Sequence, residues 1–332
     1  MGSSIRCFFA AANMSTNTAP HVAPNALVLT GPTGIGKSAL ALRLAAHLPI
    51  EIISVDSAQV YRGFDIGTAK ADRNTRATVP HHLIDIREPA DTYSAGEFVA
   101  DVGRLVREIA ARDRLPVLVG GTMLYFRALF GGLAPLPQAN PEYRQHVDNR
   151  ARHEGWPALH AELGVIDPVA AARIHPNDPQ RIQRALEVHA LSGRTITELQ
   201  ALTRAEPVAQ LLRMALLPVD RGALHVLNAQ RFDAMMHAGF LEEVRGLRAR
   251  GDLRGDSNSM RAVGYRQLWQ HLDGDLTLNE AIQRANAGTR QLVKRQLTWI
   301  NSDPHWLRIS NGPAPAFDIL RQNVDKWLFR RG

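Results

Sequence analysis

Ala26-Leu-Val-Leu-Thr-Gly-Pro-Thr-Gly-Ile-Gly-Lys-Ser38 is the stretch that decides the fold. Its first five residues form a short apolar run closed by glycine, the pattern of a buried strand. Gly31 to Ser38 then fits G-x-x-x-x-G-K-[ST] at every fixed position, and the helical pattern Ser38–Leu48 follows until Pro49 stops it. A glycine-rich turn between a strand and a helix lets the backbone wrap an oxygen-rich anion, with amide groups and the helix dipole directed at it. Gly31, Pro32, Thr33, Gly34, Ile35, Gly36, Lys37 and Ser38 are therefore the candidate phosphate cradle. Lys37 adds a full charge and Ser38 a candidate Mg²⁺ ligand. Such a loop recognises a phosphate chain and not the group attached to it, so kinases, hydrolases and transferases that release diphosphate all remain open.

Outward from the loop, Ile50–Val55, Leu83–Ile86 and Val117–Val119 read as further strands, with helical spacing over Ala95–Ala111. Strands alternating with helices predict a parallel sheet covered on both faces. From about Ala134 the texture changes: Pro135, Pro137 and Pro141 break the chain, and the next stretch is helical and rich in arginine. Helices are predicted at Pro179–Ser192, Ala223–Gly239, Leu241–Arg250 and Glu280–Ile300, and Leu211–Leu217 as a strand returning to the sheet. The expected architecture is α/β, a P-loop NTPase-like parallel sheet flanked by helices with an inserted small helical domain. Its expected parts are a disordered leader over 1–25, the α/β core over 26–135, a mainly helical insertion over 136–205, and the remainder of the core with C-terminal helices over 206–332.

The chain has 332 residues, 45% hydrophobic and 21% charged, the profile of a globular protein. Its apolar runs fall far short of the ~18 residues of a membrane span. Cys7 is the only cysteine, which excludes an internal disulfide and a thiolate-rich zinc site and suits a reducing cytoplasm. The scattered histidines predict no transition-metal site, His81 and His82 read as loop residues, and Trp269, Trp299 and Trp306 as core or interface. The first 25 residues make a poor signal peptide, and translation from Met1 or from Met14 fits them equally. A net charge of +7 favours a polyanionic partner.

Asp56 ends the strand Ile50–Val55 and so emerges at the carboxyl rim of the sheet, beside the loop. It suits a general base, a Mg²⁺-positioning carboxylate or a cap on the next turn. Thr122 follows Gly120-Gly121 at the end of another strand, where an N-cap role and a ligand contact are both open. Arg181 and Arg184 share a helix face, with Gln180 and Gln183 beside it. Arg290 and Lys294 do the same on a later helix, followed by Arg295, Gln296 and Trp299. Each group reads as a solvated face when taken alone. Together they suit the phosphates and splayed bases of an RNA loop.

With these residues in view, the sequence resembles the tRNA dimethylallyltransferase, or tRNA isopentenyltransferase, family over roughly Leu27–Trp306. The blocks are GPTGIGKS at 31–38, ISVDSAQVYRGFDIGTAK at 53–70, LVGGTMLYFRAL at 118–129, DPVAAARIHPNDPQRIQRALEV at 167–188, RAVGYRQLW at 261–269 and TRQLVKRQLTWI at 289–300. The resemblance implies transfer of a dimethylallyl group from its diphosphate to the exocyclic amine of the adenosine 3′ of the anticodon, in tRNAs reading codons that begin with U. It implies a cytoplasmic enzyme, here expected to be a monomer away from membranes. The loop would hold dimethylallyl diphosphate with Mg²⁺, Asp56 would take the amine proton, and Thr122 would help position it. Arg231 corresponds to the second arginine of an LHxRIxxRF pattern whose first arginine is absent here. The RNA contacts implied lie at Asp56, Ser57, Ala58, Gln59 and Thr122; at Gln180, Arg181, Ile182, Gln183 and Arg184; at Arg261, Gly264, Tyr265 and Arg266; and, with Arg290, at Lys294, Arg295 and Gln296. Two rivals share parts of the pattern: a small-molecule or nucleotide kinase, and a non-catalytic RNA- or nucleotide-binding protein.

Overall fold

A computed structural model describes residues 24–203, 207–311 and 316–329. The predicted leader lies outside them except for its last two positions. Six strands form one sheet: β1 (Asn25–Thr30), β2 (Ile50–Val55), β3 (His81–His82), β4 (Leu115–Gly120), β5 (Gln210–Pro218) and β6 (Leu307–Asn311). Their order is β3-β2-β4-β1-β5-β6 and every pairing is parallel. The interior strands read as continuous apolar runs because helices cover both faces: β1 and β2 are buried along almost their whole length.

The helices in the first half are α1 (Lys37–Ala45), α2 (Arg73–Thr78), α3 (Ala95–Ala110) and α4 (Met123–Gly131). Five more, α5 (Pro141–Glu154), α6 (Trp156–Ile166), α7 (Pro168–Arg173), α8 (Pro179–Ser192) and α9 (Ile196–Ala201), lie in the chain between α4 and β5. They enclose a core of their own, with Val147, Leu159, Leu163, Ile182 and Val188 at its centre. Then come α10 (Arg221–His237), α11 (Phe240–Ala249), α12 (Tyr265–Leu272), α13 (Leu278–Ser302) and α14 (Ala316–Phe329). Two apolar clusters sandwich the sheet, one around Phe64, Phe98, Phe126 and Tyr265, the other around Leu27, Leu29, Leu44 and Leu297.

The structure corrects the third strand. Leu83 and Asp85 have positive φ, which breaks an extended run over Leu83–Ile86. The strand is instead His81–His82, paired with Ile52 and Ile53 of β2. These two histidines are therefore sheet residues, and His82 Nε2 meets the buried Glu51 carboxylate at 2.6 Å.

Register places the working end of the sheet. Gly120 of β4 stands opposite Thr30 of β1 and opposite Val55 of β2. Gly31, Asp56 and Gly121 therefore leave the rim side by side, across strands about 4.8 Å apart. Glycine is required at 120, because a Cβ there would lie 2.2 Å from the Val55 carbonyl oxygen.

Candidate active site

The loop between β1 and α1 is open toward an anion. Gly34 and Gly36 adopt positive φ, which glycine accepts without strain. The backbone N–H groups of Gly34, Gly36, Lys37 and Ser38 have no protein acceptor among the described residues. The Lys37 ammonium donates to the carbonyls of Gly31 and Pro32, both at 2.9 Å, which holds it over the loop. Burial lowers its pKa to about 8; Asp56 opposes that shift and Arg231 adds to it. The exposed Ser38 lies at the start of α1, where its hydroxyl can meet a hydrated cation.

Asp56 caps the turn that follows it. Its Oδ1 accepts the backbone N–H of Ala58 at 2.8 Å and of Gln59 at 3.3 Å, forming the turn that follows β2. Its Oδ2 takes no partner among the described residues and remains available to an incoming N–H. Arg231 reaches this region from α10. Burial pulls its guanidinium pKa down from the ordinary value, and the Asp56 carboxylate partly offsets that. Cationic Lys37 and Arg231 thus share a field with Asp56.

Thr122 is at the N-cap position of α4, yet its hydroxyl makes no capping bond. It accepts the backbone N–H of Ser57 at 3.1 Å instead. The threonine therefore ties the turn after β4 to the turn carrying Asp56, a link that capping alone does not explain. Gln59 is spent on structure: its carbonyl oxygen accepts from Ser54 Oγ at 2.9 Å and its Nε2 donates to the Thr68 carbonyl at 3.2 Å.

The expected RNA contacts divide by exposure. Gln180, Arg181, Arg261, Arg266, Arg290, Lys294 and Arg295 are exposed. The side chains of Ile182, Tyr265 and Gln296 face inward. Ile182 fills the core of the helical insertion. Tyr265 stacks on Phe64 with ring centroids 4.3 Å apart and donates its hydroxyl to Glu243. Gly264, also buried, donates its N–H to Gln267 Oε1 at 2.8 Å. Arg184 and Gln183 are half-buried and engaged: Arg184 bonds Glu187 and the Pro137 carbonyl, and Gln183 donates to Asp148 at 2.7 Å.

Three residues absent from the sequence reading shape the site. Asn228 of α10 is pressed against the phosphate loop, donating to the Thr33 carbonyl at 3.2 Å. Glu243 of α11 accepts the backbone N–H groups of Asp65, Ile66 and Gly67, and so folds the segment after the Asp56 turn. The third, His225, lines a groove of about 390 Å³ between α10 and α13, together with Arg221, Arg290 and Lys294. A polar residue within an otherwise apolar helical stripe is the signal that marks Asn228, between the buried Leu224 and Phe232.

By its sheet order and its glycine-rich cradle, the chain is a P-loop α/β protein with a loop shaped for a phosphate-bearing ligand. A family model described as IPP transferase matches residues 59–303. The sequence is 52% identical to the tRNA dimethylallyltransferase of Burkholderia lata over 93% of this chain and 98% of that protein. It is 54% identical to that of Bordetella pertussis over 91% and 97%. Among solved structures it is similar to the full-length tRNA isopentenylpyrophosphate transferase of Bacillus halodurans, with 36% identity, a TM-score of 0.64, and coverage of 92% of this chain and 95% of that one. The chain belongs to the tRNA dimethylallyltransferase (IPP transferase) family.

Proposed function

We propose that the protein transfers a dimethylallyl group from dimethylallyl diphosphate to the exocyclic amine of the adenosine 3′-adjacent to the anticodon, in tRNAs that read codons beginning with U. The observation that carries this reading is the pairing of an anion cradle, whose amides have no protein partner among the described residues, with a rim carboxylate whose Oδ2 is open. The amine nitrogen attacks the allylic carbon, the carbon–oxygen bond to the diphosphate breaks, and the amine proton passes to Asp56 Oδ2. A placed base of this kind contributes typically about 10²–10⁴-fold. The loop amides, Lys37 and Arg231 stabilise the departing diphosphate at the point where its charge grows. Ser38 is the residue that would hold Mg²⁺, and the ion would supply further charge neutralisation when bound.

A base paired or stacked in an RNA loop must swing out to reach a strand rim. The exposed cations of α13 and the adjoining groove support a docking face for the anticodon stem-loop. Arg221, Arg290 and Lys294 have no carboxylate partner there among the described residues. Among those residues no helix is long and apolar enough to cross a membrane. We take the enzyme to act in the cytoplasm, as a monomer.

The deciding experiment incubates the protein with Mg²⁺, labelled dimethylallyl diphosphate and unmodified tRNA, with ATP as the control donor, and locates the label by nucleoside mass spectrometry. Label on the adenosine beside the anticodon is the expected result. Phosphate transfer from ATP, or no labelled nucleoside, overturns the reading.

A further inference from the structure

The phosphate loop is gripped at its tip by two amide side chains from different helices. Thr33 donates its backbone N–H to Gln296 Oε1 at 2.9 Å, and its carbonyl accepts Asn228 Nδ2 at 3.2 Å. The other end of the Gln296 amide donates to the Gly121 carbonyl at 2.9 Å. Gln296 thus bridges the loop after β1 and the turn after β4 that carries Thr122. Both side chains are inside the protein, Gln296 with 5% and Asn228 with 8% of their surface exposed.

The fit is tight on both sides. A Cβ on Gly34 would stand 2.0 Å from Asn228 Oδ1, and one on Gly121 would stand 2.4 Å from Gln296 Nε2. Two glycines have therefore left the space that the two amides occupy. The amide meets both demands at once, accepting from Thr33 and donating to Gly121, which an aliphatic side chain or an ionised carboxylate cannot do. The grip also divides the labour of the loop. The Thr33 N–H is turned to Gln296, which leaves the later amides of Gly34, Gly36, Lys37 and Ser38 to face an anion.

Gln296 follows Lys294 and Arg295, which are exposed while it is buried. A ligand on the exposed face of α13 that shifted this helix would move Gln296, and with it both rim turns. We infer that Gln296 and Asn228 are positioning residues that hold the phosphate loop in its anion-binding shape, and that Gln296 couples RNA docking on α13 to donor binding in the loop. The coupling rests on the RNA face proposed above. Linkage makes it reciprocal: RNA tightens donor binding by the same factor as donor tightens RNA binding.

The test measures the affinity of the full-length protein for dimethylallyl thiolodiphosphate, a poorly reactive donor analogue, with and without an anticodon stem-loop RNA. The parent is expected to bind the analogue more tightly when RNA is present. Gln296→Leu and Gln296→Glu should each weaken analogue binding by about tenfold and bring the RNA-induced enhancement toward one, as loss of a buried hydrogen bond predicts. Asn228→Asp should weaken analogue binding while preserving the enhancement. Gln296→Glu keeps the size of the side chain and its acceptor for Thr33, so it carries the test if Gln296→Leu does not fold. A merely structural role lowers the melting temperature but leaves the enhancement ratio of the folded protein unchanged, and that result overturns the inference. Unchanged analogue affinity in the Gln296 variants overturns it as well, as does a parent whose analogue affinity ignores bound RNA. Failure of the parent to bind RNA at all would instead count against the RNA face itself.

Discussion

The Thr122 hydroxyl and the Ser57 amide lie 3.1 Å apart, joining the two turns that flank the carboxylate of Asp56. Thr122→Val keeps the shape of the side chain and deletes the acceptor. The single-turnover rate should fall by about tenfold, the cost of one unmade hydrogen bond at a site that depends on geometry. The melting temperature should change little. An unchanged rate would reduce Thr122 to a helix-start residue.

Asp56→Asn separates the two roles of that side chain. The amide oxygen can still accept from Ala58 and Gln59, so the turn survives, whereas the proton acceptor is lost. The chemical step should slow by at least about a hundredfold. RNA affinity, measured by filter binding, should remain near that of the parent. Parallel loss of affinity and rate would assign Asp56 to structure alone.

Lys37 sets a pH limit on donor capture. Its folded-state pKa of about 8 means that kcat/KM for the donor should decline as pH rises through that value, since this ratio reports the free enzyme. In Lys37→Ala the same limb of the profile should be absent. The stability consequence has the opposite direction. Between about 8 and the ordinary 10.5 the unfolded chain keeps a proton that the folded chain has lost, so the contribution of this group to stability rises with pH.

Arg184 and Arg181 occupy neighbouring positions on one helix but should behave differently. Arg181 is exposed, with Asp178 at 3.4 Å as its charge partner, and Arg181→Ala should lower the salt slope of RNA binding by about one, as should Arg290→Ala. Arg184→Ala should instead reduce stability, because its guanidinium satisfies Glu187. Equal salt slopes in Arg181→Ala, Arg290→Ala and the parent would remove those two from the contact surface.

Glu187 is fully buried in the helical insertion, bonded by Arg144, Arg184 and the Asn140 amide. Glu187→Ala removes the partner of two part-exposed guanidinium groups and should cost about 1–3 kcal/mol, read from thermal or denaturant melts. These partners hold the carboxyl below its ordinary pKa, against the opposing effect of burial. The stabilisation it provides is thus complete above that ordinary value and disappears as pH falls through the folded-state value, so parent and variant should converge on acidification. A constant gap at all pH values would contradict this.

Much of the sheet is legible directly in the chain. Residues 26–30, 50–55, 117–119 and 211–217 are dense apolar runs because two helical layers cover them, and density of that kind is visible in one dimension. β3 is hidden because its short paired segment is two histidines, one held by a buried glutamate, while the apolar residues beside it bend through positive φ. β6 escapes notice as an edge strand with only Ile309 buried. At the site, the placement of the cradle and of Asp56 on one rim is legible because it follows from strand ends and spacing. The inward position of Gln296 is hidden by the exposed Lys294 and Arg295 beside it, and its membership of the stripe Val293, Gln296, Leu297 and Ile300 is the clue to it.

The two carbonyl bonds of the Lys37 ammonium bear on which molecules can stay in the site. An arriving ligand must outcompete oxygens already in place, and a dense, multiply charged headgroup does so where a neutral prenyl alcohol offers only one weak dipole. A donor hydrolysed to its prenyl alcohol would meet a lysine already bonded to its own backbone carbonyls, and would compete poorly with intact donor.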